Sequence, residues 1–274
     1  MPWTRIAVAL AAILLVALVA GPMLWALSTS FKTEVKAVAF PPTPLPDPFT
    51  WKNYIDVFTH KTFAIELFNS MLYAIGAIAV ALLVGLPAGY AASRFDFRGK
   101  SALMLVILAT SMIPGVALLI PTYLLLDQLG LLNNRFVIIV ISAARLVPQT
   151  VWFVQNFVDT VPAEIDEAAL VDGASRQQIL VRLVLPLIAP GIAAITVLGI
   201  ITTWNDYITV AVFAPETASR TLQVALVNQV FDSVGISWSY TMAFSIVATI
   251  PVVLFFILAQ RWFVAGLTAG TVKG

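Results

Sequence analysis

The 274-residue sequence predicts an all-α integral membrane protein with six transmembrane helices and one polar segment held outside the lipid. Three observations carry that reading. Apolar residues make up 60% of the chain and charged residues 11%, with a mean hydropathy of +0.96, which leaves too little polar surface to cover a soluble globule of this length. Six apolar runs reach the roughly 20 residues that a helix needs to cross a bilayer core. Between the fourth and fifth runs lies EIDEAALVDGASRQQILVRLVLPLIAP, Glu164 to Pro190, whose carboxylates would be costly in hydrocarbon.

The first run, about 6–27, carries no charge from Ile6 through Leu27. A signal peptide has an apolar stretch of only ~7–15 residues, so a retained helix is favoured, with Pro22 a candidate kink near its outer end. The outer segment 28–66 contains FPPTPLPDPFTWKNY, whose five prolines between Pro41 and Pro48 stiffen it into an extended path. It serves either as a spacer or as a contact for a soluble partner. The second and third runs, about 67–92 and 102–126, flank RFDFRGKS. That loop ends like a phosphate-binding loop, but G-x-x-x-x-G-K-[ST] requires glycine where Arg94 stands, and a strand before it. It reads as a basic loop anchoring two helices at the inner leaflet. The fourth, fifth and sixth runs cover about 136–158, 187–211 and 240–260. Segment 212–239 includes RTLQVALVNQV, with the spacing of a short helix lying on the membrane surface. There is no internal repeat and no low-complexity tract, so one membrane domain accounts for residues 1–274.

Orientation follows from the cationic residues near the span ends. With the N-terminus inside, Arg5, Arg94, Arg98, Lys100, Arg176, Arg182, Arg261 and Lys273 lie on the cytoplasmic side, against Lys32, Lys36, Lys52, Lys61, Arg135 and Arg220 outside. The cluster Arg94, Arg98, Lys100 is the strongest local signal. An even number of spans then places both termini in the cytoplasm.

The polar segment 159–186 between spans four and five marks its own breaks. Pro162 suits the first turn of a helix, and Glu164, Asp166 and Glu167 put negative charge at that helix's positive end. Gly173 can take the left-handed conformation that closes it. Ser175 with Gln178 then makes a capping box for a second helix, which should stop near Leu185 because Pro186 restricts the residue before it. Interfacial helices favour lysine and arginine, whereas these carboxylates would be repelled by an anionic leaflet, so the segment is expected to dock on a protein.

Glu167, Ala168 and Ala169, then Asp172 and Gly173, then Leu183, Leu185 and Pro186, resemble the EAA signature of ATP-binding-cassette importer permeases. Ile179 and Leu180 stand where many members carry an aromatic, and Leu183 where isoleucine is common. The resemblance implies a type I importer permease fold in which this loop is a cytoplasmic coupling helix between helices four and five, docked in a cleft of an ATPase. It also implies four kinds of partner: a second homologous permease, two ATPase subunits, an extracytoplasmic substrate-binding protein, and the bilayer of a bacterial inner membrane. ATP and magnesium would sit on the ATPase, with no cofactor on this chain. The proline-rich stretch with WKNY, TWNDY at Thr203 to Tyr207, RTL at Arg220 to Leu222 and the terminal GLTAGTVKG are similar to the carbohydrate-uptake subfamily, near the smaller permease of the maltose importer. A sugar, oligosaccharide or sugar-like polyol is the cargo this implies; close relatives carry glycerophosphate-type solutes.

Polar groups inside the spans mark candidate pathway positions. Arg145 lies about 14 Å into the fourth span at 1.5 Å per residue. Pro148 and Gln149 follow it, so that helix is a candidate for a local break. Asn205 and Asp206 lie in the outer half of the fifth span beside Trp204 and Tyr207, and aromatic faces with planar polar groups suit a sugar. Equally, Arg145 and Asp206 could neutralise each other, and the aromatics could belong to an interfacial belt. The chain has no cysteine and a single histidine, His60, which excludes disulfides, thiolate metal sites, cysteine nucleophiles and paired-histidine sites. No catalytic residue is assigned. An ion-driven secondary transporter, the main rival, would call for more buried ionisable groups and an inverted repeat, and would leave the EAA loop unexplained.

Overall fold

The computed structural model describes residues 2–231 and 236–271, with side chains described over 8–231, 236–258 and at 260. Met1 and the end of the GLTAGTVKG stretch, including Lys273, lie outside the described residues, as do the side chains of Arg5 and Arg261. The chain divides into two compact units, one made of Met1–Ala64 and Val224–Pro251, the other of Ile65–Gln223 and Val252–Gly274.

In the first unit, helix α1 spans Pro2–Ser30 and runs through Pro22 without interruption, so the expected kink does not break it. Its apolar side chains, Val8, Leu14 and Leu18 among them, stand exposed. Beyond α1 the chain folds back instead of taking a purely extended course. Helices α2 (Glu34–Ala37) and α3 (Lys52–Thr59) bracket the prolines. The reason is a set of buried polar groups at the end of α1. Lys32, 1% exposed, donates to Thr43 O at 2.5 Å and lies over the Trp25 ring. Asn53 donates to Ser30 O and Lys32 O, both at 2.8 Å, and Phe31 packs against Phe49, Trp51 and Tyr54. Glu34 accepts from the backbone N–H groups of Trp238 and Ser239 and from the Ser237 and Ser239 hydroxyls. It thereby satisfies orphan donors at the start of the last helix. Burial pushes the Glu34 carboxyl up, but these hydrogen bonds outweigh it and hold the group below its ordinary value.

The second unit holds most of α4 (Phe63–Arg94), then α5 (Lys100–Ser111), a 3₁₀ turn (Gly115–Leu118), α6 (Leu119–Gln128) and α7 (Arg135–Asp159). After these come α8 (Ala163–Val171), α9 (Arg176–Ile179), a π-turn (Leu180–Val184), α10 (Leu185–Leu187), α11 (Ala189–Trp204) and α12 (Tyr207–Phe213). Two further helices, α13 (Leu222–Val230) and α14 (Trp238–Thr271), complete the chain. Among the described residues, four helices are individually long and apolar enough to cross a membrane, and two bent pairs make six if each pair is one crossing. The third and fifth runs both correct the sequence reading. The run 102–126 is bent by 84° between α5 and the stretch Gly115–Gln128, at Met112–Pro114, where Pro114 cannot donate a helical hydrogen bond. An 81° bend sets Arg176–Leu187 off from α11 close to the expected start of the run 187–211, but that run is not one helix, because Asn205–Asp206 separates α11 from α12. Asp206 caps α12 by accepting from Thr209 N at 3.1 Å, an end signal stronger than the hydropathy of the run. α7, in contrast, continues through Pro148, so the break expected there is absent. α14 extends well past the expected 240–260.

The α4, α7 and α11 helices pack through small residues. A Cβ on Gly85 would stand 2.5 Å from the Thr150 side chain, one on Gly89 2.7 Å from Val154, and one on Gly191 2.6 Å from Phe157. Such approaches let backbones close on one another where no water drives association. At the N-terminal end of α4, Glu66, Asn69, Ser70 and Tyr73 share one face at helical spacing. They hold the 214–222 stretch through Arg220 Nε to Glu66 at 2.8 Å, Asn69 to Ala218 O and Arg220 O, Tyr73 to Ser219 O, and Leu222 N to Ser70 Oγ. In α13, Leu222, Val224 and Ala225 are buried.

Candidate functional site

The polar segment forms the turn its sequence dictates. Pro162 occupies the cap position just before α8, with Glu164 and Asp166 in the first helical turn. Gly173 has φ +83°, and a Cβ added to it would meet nothing within 4 Å, so backbone conformation alone requires glycine there. Ser175 and Gln178 make the reciprocal capping box, at 3.3 Å and 2.8 Å. The second helix ends at Leu187, two residues past the expected Leu185. It passes through the π-turn Leu180–Val184 to Leu187. Pro186 falls at the first positions of α10, where its missing N–H costs little.

Glu167 and Ala168 point outward, Ala169 is 8% exposed, and Asp172, Gly173 and Pro186 are exposed with Leu185 half-buried. The signature thus splits into an outward face, Glu167, Ala168, Asp172 and Gly173, and an inward contact at Ala169. Val171, 88% exposed, adds an apolar patch beside the carboxylates.

The opposite side of α8 is fixed by residues that the sequence marks only as charges. Asp166 is 2% exposed; its Oδ2 accepts from Tyr90 Oη at 2.7 Å and from Arg94 Nε at 3.2 Å. Arg94 Nη2 also donates to Val161 O at 2.8 Å, Ser93 donates to Asp159, and the Arg176 guanidinium lies 5.2 Å from the Phe95 ring centre. The C-terminal end of α4 therefore holds the end of α7, α8 and α9 together. No short-range pattern announces this, since Arg94 and Asp166 are 72 residues apart.

The pathway candidates gather in part. Arg145 Nη1 donates to Asp206 Oδ2 at 2.7 Å and to Thr209 Oγ1 at 3.1 Å, with the Arg145 side chain 52% exposed and that of Asp206 12%. The broken third crossing comes alongside, Gly115 being near Arg145 Nε. Gln149 is exposed and helps to line a cavity of about 40 Å³ with Ile78, Thr150 and Thr202. Asn205 is exposed, but its amide donates to Ile201 O at 2.9 Å. Tyr207 is half-buried. Trp204 is 4% exposed and presents no open face.

Residues 81–268 match the family described as the binding-protein-dependent transport system inner membrane component. The inner membrane ABC transporter permease YcjP of Escherichia coli K12 is 33% identical, covering 92% of this chain and 91% of that protein. The trehalose/maltose transport system permease MalG of Thermococcus litoralis is 30% identical, covering 98% and 97%. Among solved structures, a chain of a bacterial ABC transporter involved in the import of the acidic polysaccharide alginate superposes with a TM-score of 0.83 at 26% identity, covering 96% of this chain and 98% of that one. The bent crossings, the glycine-turned polar loop and these matches agree: this chain belongs to the family of inner-membrane permease components of binding-protein-dependent transport systems.

Proposed function

We propose that this permease forms half of the membrane channel of an ATP-driven importer for a sugar, oligosaccharide or sugar-like polyol. The observation that carries the coupling reading is the turn at Gly173, which presents Glu167, Ala168 and Asp172 outward while Ala169 packs inward. Glu167 meets a basic group of the ATPase, Ala168 permits close approach, and Leu185 with Pro186 begins the return to the membrane. The chain acts as one membrane domain paired with a second homologous permease. Two ATPase subunits carrying ATP and magnesium lie beneath, a substrate-binding protein delivers cargo from outside, and both termini are cytoplasmic. ATP binding draws the coupling segments together and opens the cavity outward; hydrolysis resets it. The trehalose/maltose relative and the alginate transporter support a carbohydrate cargo.

A glycerophosphate-type or acidic sugar is the second reading, favoured by the half-exposed Arg145 guanidinium, which retains N–H donors suited to an anion.

The test is cargo-stimulated ATPase activity and uptake in the reconstituted complex, over a panel of neutral sugars, acidic sugars and glycerophosphates, with Gly173→Val beside the unaltered chain. A β-branched residue at φ +83° is strained without any steric clash. The variant should fold and assemble, hydrolyse ATP, and lose most uptake. Normal uptake by Gly173→Val rejects the coupling role, and stimulation by an anionic solute alone selects the second reading.

A further inference from the structure

The coupling segment is joined covalently to α7 and, through the π-turn, to α11. It has a third attachment that the chain order does not require. At the C-terminal end of α4, Tyr90 and Arg94 reach Asp166, Arg94 also reaches Val161 O, Ser93 reaches Asp159, and Phe95 lies against Arg176. We propose that Tyr90, Arg94 and Asp166 form a transmission clamp that makes the C-terminal end of α4 move as one body with the coupling segment. The inference rests on the coupling role proposed above.

The energetics favour a positioning role over a purely stabilising one. A buried ion pair gains little net stability, because desolvation offsets its attraction, whereas losing one partner leaves a costly unpaired charge. The Asp166 carboxylate is only half used: Oδ2 takes both donors, while the buried Oδ1 has no hydrogen-bond partner among the described residues. What the arrangement does secure is register. Two donors on successive turns of α4 converge on one oxygen of α8, and the same arginine grips the Val161 carbonyl just before it. A one-turn slip of α8 would break all three bonds at once. Motion entering α8 then reaches α4 directly, and α4 carries it to α7 through the tight contacts of Gly85 and Gly89. The docking face, Glu167 and Ala168, points away from the clamp, so docking and transmission use opposite sides of one short helix.

The experiment uses the complete reconstituted complex with Asp166→Asn and Tyr90→Phe, the second removing a single hydroxyl. The chain contains no cysteine, so Arg98→Cys and Gln177→Cys are its only thiols; with any cysteines of the other subunits replaced, this spin-label pair reports the separation of the exposed loop after α4 from α9. In the unaltered chain that distance should stay constant between nucleotide-free and ATP-trapped states. In either variant the ATPase should co-purify in unchanged amount, the distance should become nucleotide-dependent, and ATP consumed per solute should rise several-fold. If Asp166→Asn fails to accumulate, Tyr90→Phe decides. Wild-type stoichiometry in Tyr90→Phe, or a distance that changes with nucleotide in the unaltered chain, overturns the clamp. Failure of the unaltered chain to retain any ATPase overturns the coupling reading itself, and the clamp with it.

Discussion

Arg145 and Asp206 are both legible as charges within apolar runs, and their pairing is one of two readings that the sequence leaves open. The structure makes the pair at 2.7 Å and uses the second carboxylate oxygen of Asp206 to cap α12. Asp206 is therefore committed locally, while Arg145 keeps half of its side chain open. These unequal situations give separable outcomes. Asp206→Ala leaves the Arg145 guanidinium without its carboxylate partner and removes a helix cap. It should cost about 1–3 kcal/mol, less than the ~3–5 of a fully buried pair because Arg145 is half exposed. Arg145→Met combined with Asp206→Asn restores charge balance and keeps a capping side chain, so thermal stability in detergent should largely return. Uptake should not return, because the exposed guanidinium is gone. Recovery of both properties would make the pair a structural device with no part in transport. Trp204 shows the limit of residue-level reading: its neighbourhood suggests a sugar platform, but its burial is decided by packing that a single sequence does not display.

At the scale of elements, what is legible is local. The capping box at Ser175 and Gln178, the turn at Gly173 and the long apolar runs all depend on residues within a few positions of each other. The breaks in the third and fifth crossings have local signals too, Pro114 followed by Gly115 and the cap at Asp206, yet averaged hydropathy passes over a single turn. The clamp on α8 and the Glu66 to Tyr73 latch join residues about 70 and 150 apart in sequence, and only the fold reveals them. Packing of α4 on α7 gives a test at this scale. A side chain at Gly89 meets Val154 at 2.7 Å and the Val151 carbonyl at 2.9 Å, whereas one at Gly21 of α1 meets nothing within 4 Å. Gly89→Ala should destabilise the protein by about 1–3 kcal/mol through overpacking, and Gly21→Ala should be neutral, as measured by melting in detergent. Adding Val154→Ala to Gly89→Ala should recover only part of the loss, because the carbonyl contact remains. Equal behaviour of the two glycine variants would mean that α4 and α7 do not approach this closely in the membrane.

For the whole molecule, the decisive quantity is room. The cavity beside Gln149 holds about 40 Å³, against the several hundred cubic ångströms of an ordinary small-molecule site. That space is too small to enclose a sugar, and the paired-permease reading proposed above expects the cargo cavity to form against a second subunit. Gln149 is suited to report its opening. It is exposed, it lies one helical turn from Arg145 on α7, and the chain has no competing thiol. In proteoliposomes of the full complex, Gln149→Cys should react with a membrane-impermeant, water-soluble thiol reagent from the cytoplasmic side when nucleotide is absent. ATP trapping should suppress that reaction, and an outside-added reagent should then reach the site if the cavity opens outward. Reaction at the same rate in both states would separate this face from the moving pathway. No reaction in either state would put Gln149 against lipid or a protein neighbour, and the conducting surface would have to be sought on the partner permease.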